Sequence, residues 1–297
     1  MTDRLLGSGL IIVDKPAGMT SHDVISRLRR IFGTRRVGHA GTLDPMATGV
    51  LVVGIERGTR FLAHLVTETK TYRATIRLGA STTTDDAEGD ITSRTDTTDV
   101  TDTLIDAAIA QLTGDIMQKP AAVSAIKIDG KRAHERVRDG ETVDIPARPV
   151  TVHRFDVLDR RSVDGYIDLD VDVFCSSGTY IRSLARDLGN ALGVGGHLTA
   201  LRRTTVGPFD LTHARTLEEL EDNPQLSLTL DQALAVSFPV LRVSGEEGHK
   251  LAMGQWLEPR GLKGIHAAVT PDGQAVALVK EKGKRLATVF VARPSTL

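Results

Sequence analysis

Cysteine is almost absent from this chain. Cys175 stands alone among 297 residues, which excludes a disulfide framework and a thiolate-rich metal site. Long apolar runs are missing too: those near Leu10–Val13 and Val50–Val53 are strand-sized, far below the roughly 20 residues of a membrane helix. The opening Met-Thr-Asp-Arg lacks the apolar core of a secretory signal, so the reducing cytoplasm is the expected compartment. A dominant charge sign is lacking as well, with 37 Lys and Arg against 38 Asp and Glu and a net charge of −1. That balance by itself argues against a nucleic-acid binder, although phosphate contacts are local and distribution matters more than the sum. Finally, there is no P-loop or dinucleotide fingerprint, and the nine histidines are scattered, so no cofactor and no metal are expected.

What is present is an ordinary globular composition, 40% hydrophobic and 25% charged, in a chain long enough for one large domain and a small one. The charges segregate locally. Arg27, Arg29, Arg30, Arg35 and Arg36 lie together without an acid, whereas Asp85, Asp86, Glu88, Asp90, Asp96, Asp99, Asp102 and Asp106 meet almost no base. A solvated charged face accounts for either run as well as a binding role does.

Local patterns predict a strand from Gly9 ended by Pro16, a helix N-capped at Thr20-Ser21 with Val24, Ile25, Leu28, Ile31 and Phe32 inward, and a stop at Gly33. A buried strand follows over residues 49–55. Tyr72, Ala74, Ile76 and Leu78 alternate with Arg73, Thr75 and Arg77 as a half-buried strand should. Residues 80–101 read as a long polar loop, and Thr103 as the cap of a helix carrying Leu104, Ile105, Ala108, Ile109 and Leu112. Residues 114–149, turn-rich and basic, are expected to form a mobile insertion. Strands are expected over 150–158 and 166–174 and a helix over 179–192. After Phe238 short apolar segments at 240–243, 275–279 and 287–291 predict a small β-rich domain of about 60 residues. The fold class is α+β, outside any regular βαβ rhythm.

Two constellations carry chemistry. In Val37-Gly-His-Ala-Gly-Thr-Leu-Asp-Pro-Met-Ala-Thr-Gly-Val50, three glycines permit tight turns and Pro45 pushes Asp44 toward an extended conformation. Asp44 is thus presented on a shaped loop between the arginine-bearing helix and a buried strand, where functional groups often sit. From spacing alone, an Asp that only accepts backbone N–H bonds in an Asx-turn fits equally well. In Ser176-Ser-Gly-Thr-Tyr-Ile-Arg-Ser-Leu-Ala-Arg-Asp-Leu-Gly189, Arg182 and Arg186 share one helix face. Their forks suit a carboxylate or phosphate, and a salt bridge to any surface acid is the plainer alternative.

Gly38-His-Ala-Gly-Thr-Leu-Asp-Pro-Met-Ala-Thr-Gly49 closely resembles the catalytic loop of the TruB family of tRNA pseudouridine synthases. So do Asp14-Lys-Pro-Ala-Gly-Met-Thr-Ser21, Lys70-Thr-Tyr72, Ser177-Gly-Thr-Tyr-Ile-Arg182 and His197-Leu-Thr-Ala-Leu-Arg-Arg203, in the family's order over residues 9–210. Departures are Pro120-Ala121 in place of a Pro-Pro pair before Ser124-Ala-Ile-Lys127, and His134 where a tyrosine is common.

The resemblance implies the pseudouridine synthase fold, a mixed, mainly antiparallel sheet with flanking helices, over residues 1–237, with the insertion at 114–149. It implies a small PUA-like RNA-binding domain over 238–297. It further implies isomerisation of uridine-55 in the T loop of tRNA, by base flipping and without a cofactor. In these terms Asp44 is the essential carboxylate, Arg182 its guanidinium partner, and Tyr72 stacks on the flipped base and assists proton removal from C5. His39 seats the nucleotide, and Tyr180 and Leu201 line the uracil pocket. Arg29, Arg30, Arg35, Arg36 and Lys127 are candidate phosphate contacts, with Arg27, Lys131 and Arg132 beside them. Attack at C6, attack at C1′ and a glycal route all remain open to a single ionised carboxylate. The expected partner is the tRNA T stem-loop, with no membrane and no obligate protein partner, and a monomer is expected. The rival from another class is a non-catalytic RNA-binding protein or tRNA-folding chaperone on the same scaffold.

Overall fold

The computed structural model describes residues 5, 7–66, 68–121, 145–295 and, for their backbone, 127–128 and 131–132. From the N-terminus the elements are β1 (Gly9–Lys15), α1 (Ser21–Ile31), β2 (Val37–Ala40), β3 (Thr48–Ile55), α2 (Gly58–Phe61), β4 (Lys70–Leu78), β5 (Ala80–Thr82), β6 (Ile91–Arg94) and α3 (Asp102–Gln111). Then come β7 (Gly114–Gln118), β8 (Lys127–Ile128), β9 (Lys131–Arg132), β10 (Arg148–Val163), β11 (Tyr166–Cys175), α4 (Ile181–Ala191), β12 (Gly196–Val206) and β13 (Phe209–Asp210). The chain closes with α5 (Leu217–Asp222), β14 (Leu228–Thr229), α6 (Leu230–Ser237), β15 (Val240–Arg242), α7 (Gly245–Ala252), β16 (Ile265–Val269), β17 (Ala275–Lys282) and β18 (Arg285–Val291). Among the described residues no helix is long and apolar enough to cross a membrane.

The chain separates into two compact units, one of residues 1–45, 49–66 and 206–297, the other of 46–48 and 67–205. In the first, β1 lies antiparallel between β14 and β3, and β2 also pairs with β3. Leu10, Ile12, Val50, Val52, Phe61, Phe209 and Leu234 form its core. α1 begins as its sequence demands: Thr20 accepts from the Asp23 N–H while Asp23 accepts from the Thr20 N–H. α2 starts so close to β1 that a Cβ on Gly58 would lie 2.1 Å from the Gly9 carbonyl oxygen, so only glycine fits.

The C-terminal strands of this unit form a four-stranded sheet, β15 parallel to β16 and the rest antiparallel. One side packs with α7 through Leu251, Leu257, Ala277, Val279 and Leu286, and Ala267 and Leu278 join the core with β1 and β3. The glycine-spaced apolar segments thus lie in strands. α7 and β16 were not among the expected elements; α7 holds two glycines in eight residues and starts on the Ser244–Glu247 capping box.

In the second unit the strand order is β12-β4-β11-β10-β7, with β5 and β6 forming a separate pair. β4 buries Tyr72, Ala74, Ile76 and Leu78 on one face, as its alternation predicts. On the other face Arg77 donates twice to Asp168 at 2.7 Å. Three expectations are corrected here. Residues 80–101 are not one loop, since Ala80–Thr82 pairs with Ile91–Arg94; the exposed face of β6 gives no apolar period to read. The cap of α3 is Thr101, not Thr103, because its hydroxyl accepts from Leu104 N–H at 3.3 Å. Residues 114–118 are an ordered edge strand on β10 rather than part of an insertion. The remainder of that expected insertion falls mainly on 122–126, 129–130 and 133–144, outside the described residues, as does His134.

Candidate active site

Asp44 lies on the half-buried loop between β2 and β3, and the residues on either side of it are tied down. Before it, the buried Ser21 hydroxyl donates to the Leu43 carbonyl at 3.1 Å and accepts from the Leu43 N–H at 2.9 Å. After it, the Pro45 carbonyl accepts from the Gly18 N–H at 2.8 Å and from Lys15 Nζ at 3.2 Å. Lys15 is fully buried, and its ammonium also donates to the carbonyls of Pro16 and Met19 at 2.8 and 2.6 Å. A buried ammonium needs such partners, and here they are turn carbonyls that fix the course of the chain. Gly18 at φ +82°, Gly41 at φ +82° and Gly49 at φ +101° supply left-handed turns on either side of this arrangement. The block at 14–21 thus braces the block at 38–49. His39 sits half-buried on β2, opposite Val53 of β3.

The second unit carries Tyr72, Tyr180, Arg182 and Leu201. Tyr72 is 7% exposed on β4, and Leu201 is 7% exposed on β12. Tyr180 is the N-cap of α4, and its backbone is held by the buried Gln118 side chain, which accepts from its N–H at 2.8 Å and donates to its carbonyl at 3.1 Å. Arg182 is 4% exposed. Its Nη1 donates to the Thr84 carbonyl at 3.1 Å and its Nε lies 3.7 Å from the buried carboxylate of Asp86. Arg186, one turn on, pairs with Asp85 at 3.2 Å and donates to the Lys119 carbonyl at 2.7 Å. Burial pushes the Asp85 carboxyl above its ordinary range, and the guanidinium groups of Arg186 and Arg182 oppose that shift.

Sequence reasoning missed Lys15, Ser21, Asp86 and Gln118 as positioning groups. The acidic run, which fitted a solvated face and a binding role equally well, delivers Asp85 and Asp86 to α4, and only the plainer pairing of Arg182 and Arg186 with a surface acid hinted at it. Lys70 was also passed over. It is 7% exposed at the start of β4, and its Nζ donates to the Glu68 carbonyl at 2.9 Å and the Ser177 hydroxyl at 3.3 Å. Burial, reinforced by nearby Arg203, pushes its ammonium down to about 8.

Of the candidate phosphate contacts, Arg29, Arg30, Arg35 and Arg36 are exposed around the end of α1. Arg36 makes a long 3.4 Å ion pair with Glu56. Arg27 is different: it grips Glu221 through two hydrogen bonds of 2.7 and 2.8 Å and lies 3.2 Å from Glu218, so its charge serves the fold. The side chains of Lys127, Lys131 and Arg132 lie outside the described residues.

A braced carboxylate, a buried arginine and a strand tyrosine occupy the sequence blocks that resemble one family of RNA-modifying enzymes. A profile of the TruB family pseudouridylate synthase N-terminal domain matches residues 29–181. The chain belongs to the TruB family. Two further family profiles match after it, a tRNA pseudouridylate synthase B C-terminal domain over 182–235 and a tRNA pseudouridine synthase II C-terminal region over 238–293. The tRNA pseudouridine synthase B of Corynebacterium efficiens is 73% identical over the full length of both chains. That of Nocardia farcinica is 60% identical over 97% of this chain and 94% of its own. A solved Cbf5-Nop10-Gar1 complex matches with a TM-score of 0.73 at 27% identity, covering 98% of this chain and 87% of that one. An H/ACA ribonucleoprotein bound to a substrate RNA containing 2′-deoxyuridine matches at 0.71 and 26%, over 96% and 85%. As a TruB member the chain is a pseudouridine synthase, an isomerase, with the α+β pseudouridine synthase fold.

Proposed function

We propose that the chain converts uridine-55 in the T loop of tRNA to pseudouridine, with Asp44 as the essential carboxylate. The observation that carries this reading is the bracing of Asp44 from both sides, by Ser21 on Leu43 and by Gly18 and Lys15 on Pro45. A reactive group gains from such preorganisation because its reorganisation does not have to occur at the moment of reaction. Its relatives' name, tRNA pseudouridine synthase B, supports tRNA as the substrate.

The reaction breaks N1–C1′, turns the uracil and joins C5 to C1′; the C5 proton leaves and N1 takes one up. Atoms balance without a redox partner, ATP or a metal. Asp44 in its ionised form opens the sequence. The uridine leaves its stack, at roughly a few kcal/mol, and Tyr72 stacks on it and assists loss of the C5 proton. Arg182, oriented by Thr84 and Asp86, keeps the carboxylate charged as the base covers it. His39, Tyr180 and Leu201 seat the base, and Arg29, Arg30, Arg35, Arg36 and Lys127 meet phosphates. Residues 1–237 form the catalytic domain, 238–297 a PUA-like RNA-binding domain, and the enzyme acts as a monomer in the cytoplasm.

The test is tritium release from T stem-loop RNA labelled at C5 of uridine, wild type against Asp44→Asn. Release by the wild type alone, with both proteins binding RNA, is expected. Binding without release by either would leave a non-catalytic RNA-binding protein or folding chaperone.

A further inference from the structure

Trp256, the only tryptophan in the chain, is 45% exposed. Its neighbour Leu257 is tied to Leu286 of β18 by two backbone hydrogen bonds, of 3.0 and 2.8 Å, which brings Trp256 beside the start of that strand. There the Arg285 guanidinium lies over the indole, 4.9 Å from the ring centroid. The ring walls a depression of about 630 Å³ that also takes in Lys250, Gln255, Pro259 and Arg260.

The adjoining hairpin tip is cationic. Lys280, Lys282, Lys284 and Arg285 are all exposed, and none makes an ion pair among the described residues. In the register of β17 and β18, Lys280 opposes Ala287 and Lys282 opposes Arg285, while Glu281 opposes the buried Leu286. Alternation therefore puts Lys280, Lys282 and Arg285 on one face and Glu281 on the other. Glu281 is spent on its own fold, accepting from the N–H groups of Arg260 and Leu262 at 2.6 and 2.9 Å. The acids nearest the depression are similarly engaged: Glu247 pairs with Arg260 and Glu246 with Lys250. Glu258 is the one exposed acid lining it that is not so engaged.

An exposed indole beside a hairpin tip that carries Lys280, Lys282 and Arg285 on one face has the chemistry of a single-stranded nucleic-acid platform, in which a base stacks on the ring and the cations track its phosphates. We propose that Trp256, with Arg285, Lys280 and Lys282, docks an unpaired nucleotide of the RNA substrate outside the T loop. The T loop itself is committed to Asp44, so the proposal rests on the reading of the chain as a tRNA enzyme. Arg285 moves aside or stacks on the far face of the base, and Lys280 and Lys282 hold the adjoining phosphates.

Because Trp256 is the sole indole, its fluorescence reports this surface directly. Full-length tRNA and single-stranded oligoadenylate are each expected to quench it. Trp256→Ala should weaken affinity for full-length tRNA about ten- to hundredfold, while the isolated T stem-loop is still converted at the wild-type rate. The double variant Lys280→Gln with Lys282→Gln should keep its fluorescence and lower the salt slope of tRNA binding. Wild-type tRNA affinity in Trp256→Ala, or quenching by polyglutamate but not by RNA, would overturn the proposal, the latter in favour of an acidic protein partner. Should Trp256→Ala also lose stem-loop conversion through misfolding, the lysine variant and the wild-type fluorescence decide. If the wild type converted neither RNA, the proposed function would fall, and quenching would still decide the docking surface.

Discussion

Ser21 and Leu43 hold each other through a reciprocal pair of hydrogen bonds, hydroxyl to carbonyl at 3.1 Å and N–H to hydroxyl at 2.9 Å. The pair joins the first turn of α1 to the residue before Asp44. Ser21→Ala would leave both backbone groups of Leu43 buried without their partner, at a cost of about 1–3 kcal/mol. The loop should loosen as well as the fold. The expected outcome is a lower kcat with little change in KM, alongside a lower urea midpoint; unchanged kcat would show that the brace serves stability alone.

Arg182 makes its contacts through the fork of its guanidinium, Nη1 to the Thr84 carbonyl and Nε toward Asp86. Lysine keeps the charge and loses the fork. Arg182→Lys should therefore lower kcat/KM about ten- to hundredfold in the tritium assay. Asp86→Asn should lower turnover too, and the double variant should be little worse than the more severe single, because both act through one group. Full additivity would separate the two.

Lys70 gives a stability prediction with a definite sign. Burial lowers its folded-state value to about 8, below the ordinary lysine value, so between the two the unfolded chain binds more protons. The penalty of burying the charge is fully present below pH about 8 and is relieved as pH rises toward about 10. Lys70→Met removes that penalty. Its stability relative to the wild type should therefore be most favourable near pH 7 and decline by on the order of 3 kcal/mol by pH about 10. Thermal melts of both proteins across this range check the direction; a relative stability that improves with pH would contradict it.

Exposed Arg29, Arg30 and Arg35 and the ion-paired but exposed Arg36 should behave as phosphate contacts. Each Arg→Ala change that removes one should lower the slope of log K against log salt by roughly 0.9, with kcat retained. Arg27→Ala, by contrast, breaks the ties to Glu218 and Glu221 and should leave the slope unchanged. Filter binding over a salt series separates the two classes.

Much of the fold was legible wherever the signal is local. β4 shows its period of two within nine residues, and α1 writes both its cap and its apolar stripe into residues 20–32. β6 was not legible: its four residues are all exposed, so no apolar pattern marks them. α7 was missed because glycines interrupt the pattern that its packing on β17 rewards. The site divides in the same way. The Asp44 loop stands out by its glycines and Pro45, and the family resemblance named Tyr72 and Arg182. Lys15, Asp86 and Gln118 carried no individual role: Lys15 lay within a family-like block, Asp86 in an acidic run open to a solvated or a binding reading, and Gln118 within the expected insertion.

By itself, then, the sequence determined the α+β class, the family, the arginine cluster and the carboxylate on its shaped loop, because these rest on short periodicities and contiguous motifs. Tertiary structure alone decided that Ser21 and Lys15 brace Asp44, that Asp85 and Asp86 hold Arg186 and Arg182, and that Arg27 is spent on Glu221. Each of those contacts joins groups about 20 to 200 residues apart in the chain. Composition leaves such pairings undetermined, since a charge or hydroxyl finds its partner only after the apolar core has fixed which backbones lie side by side.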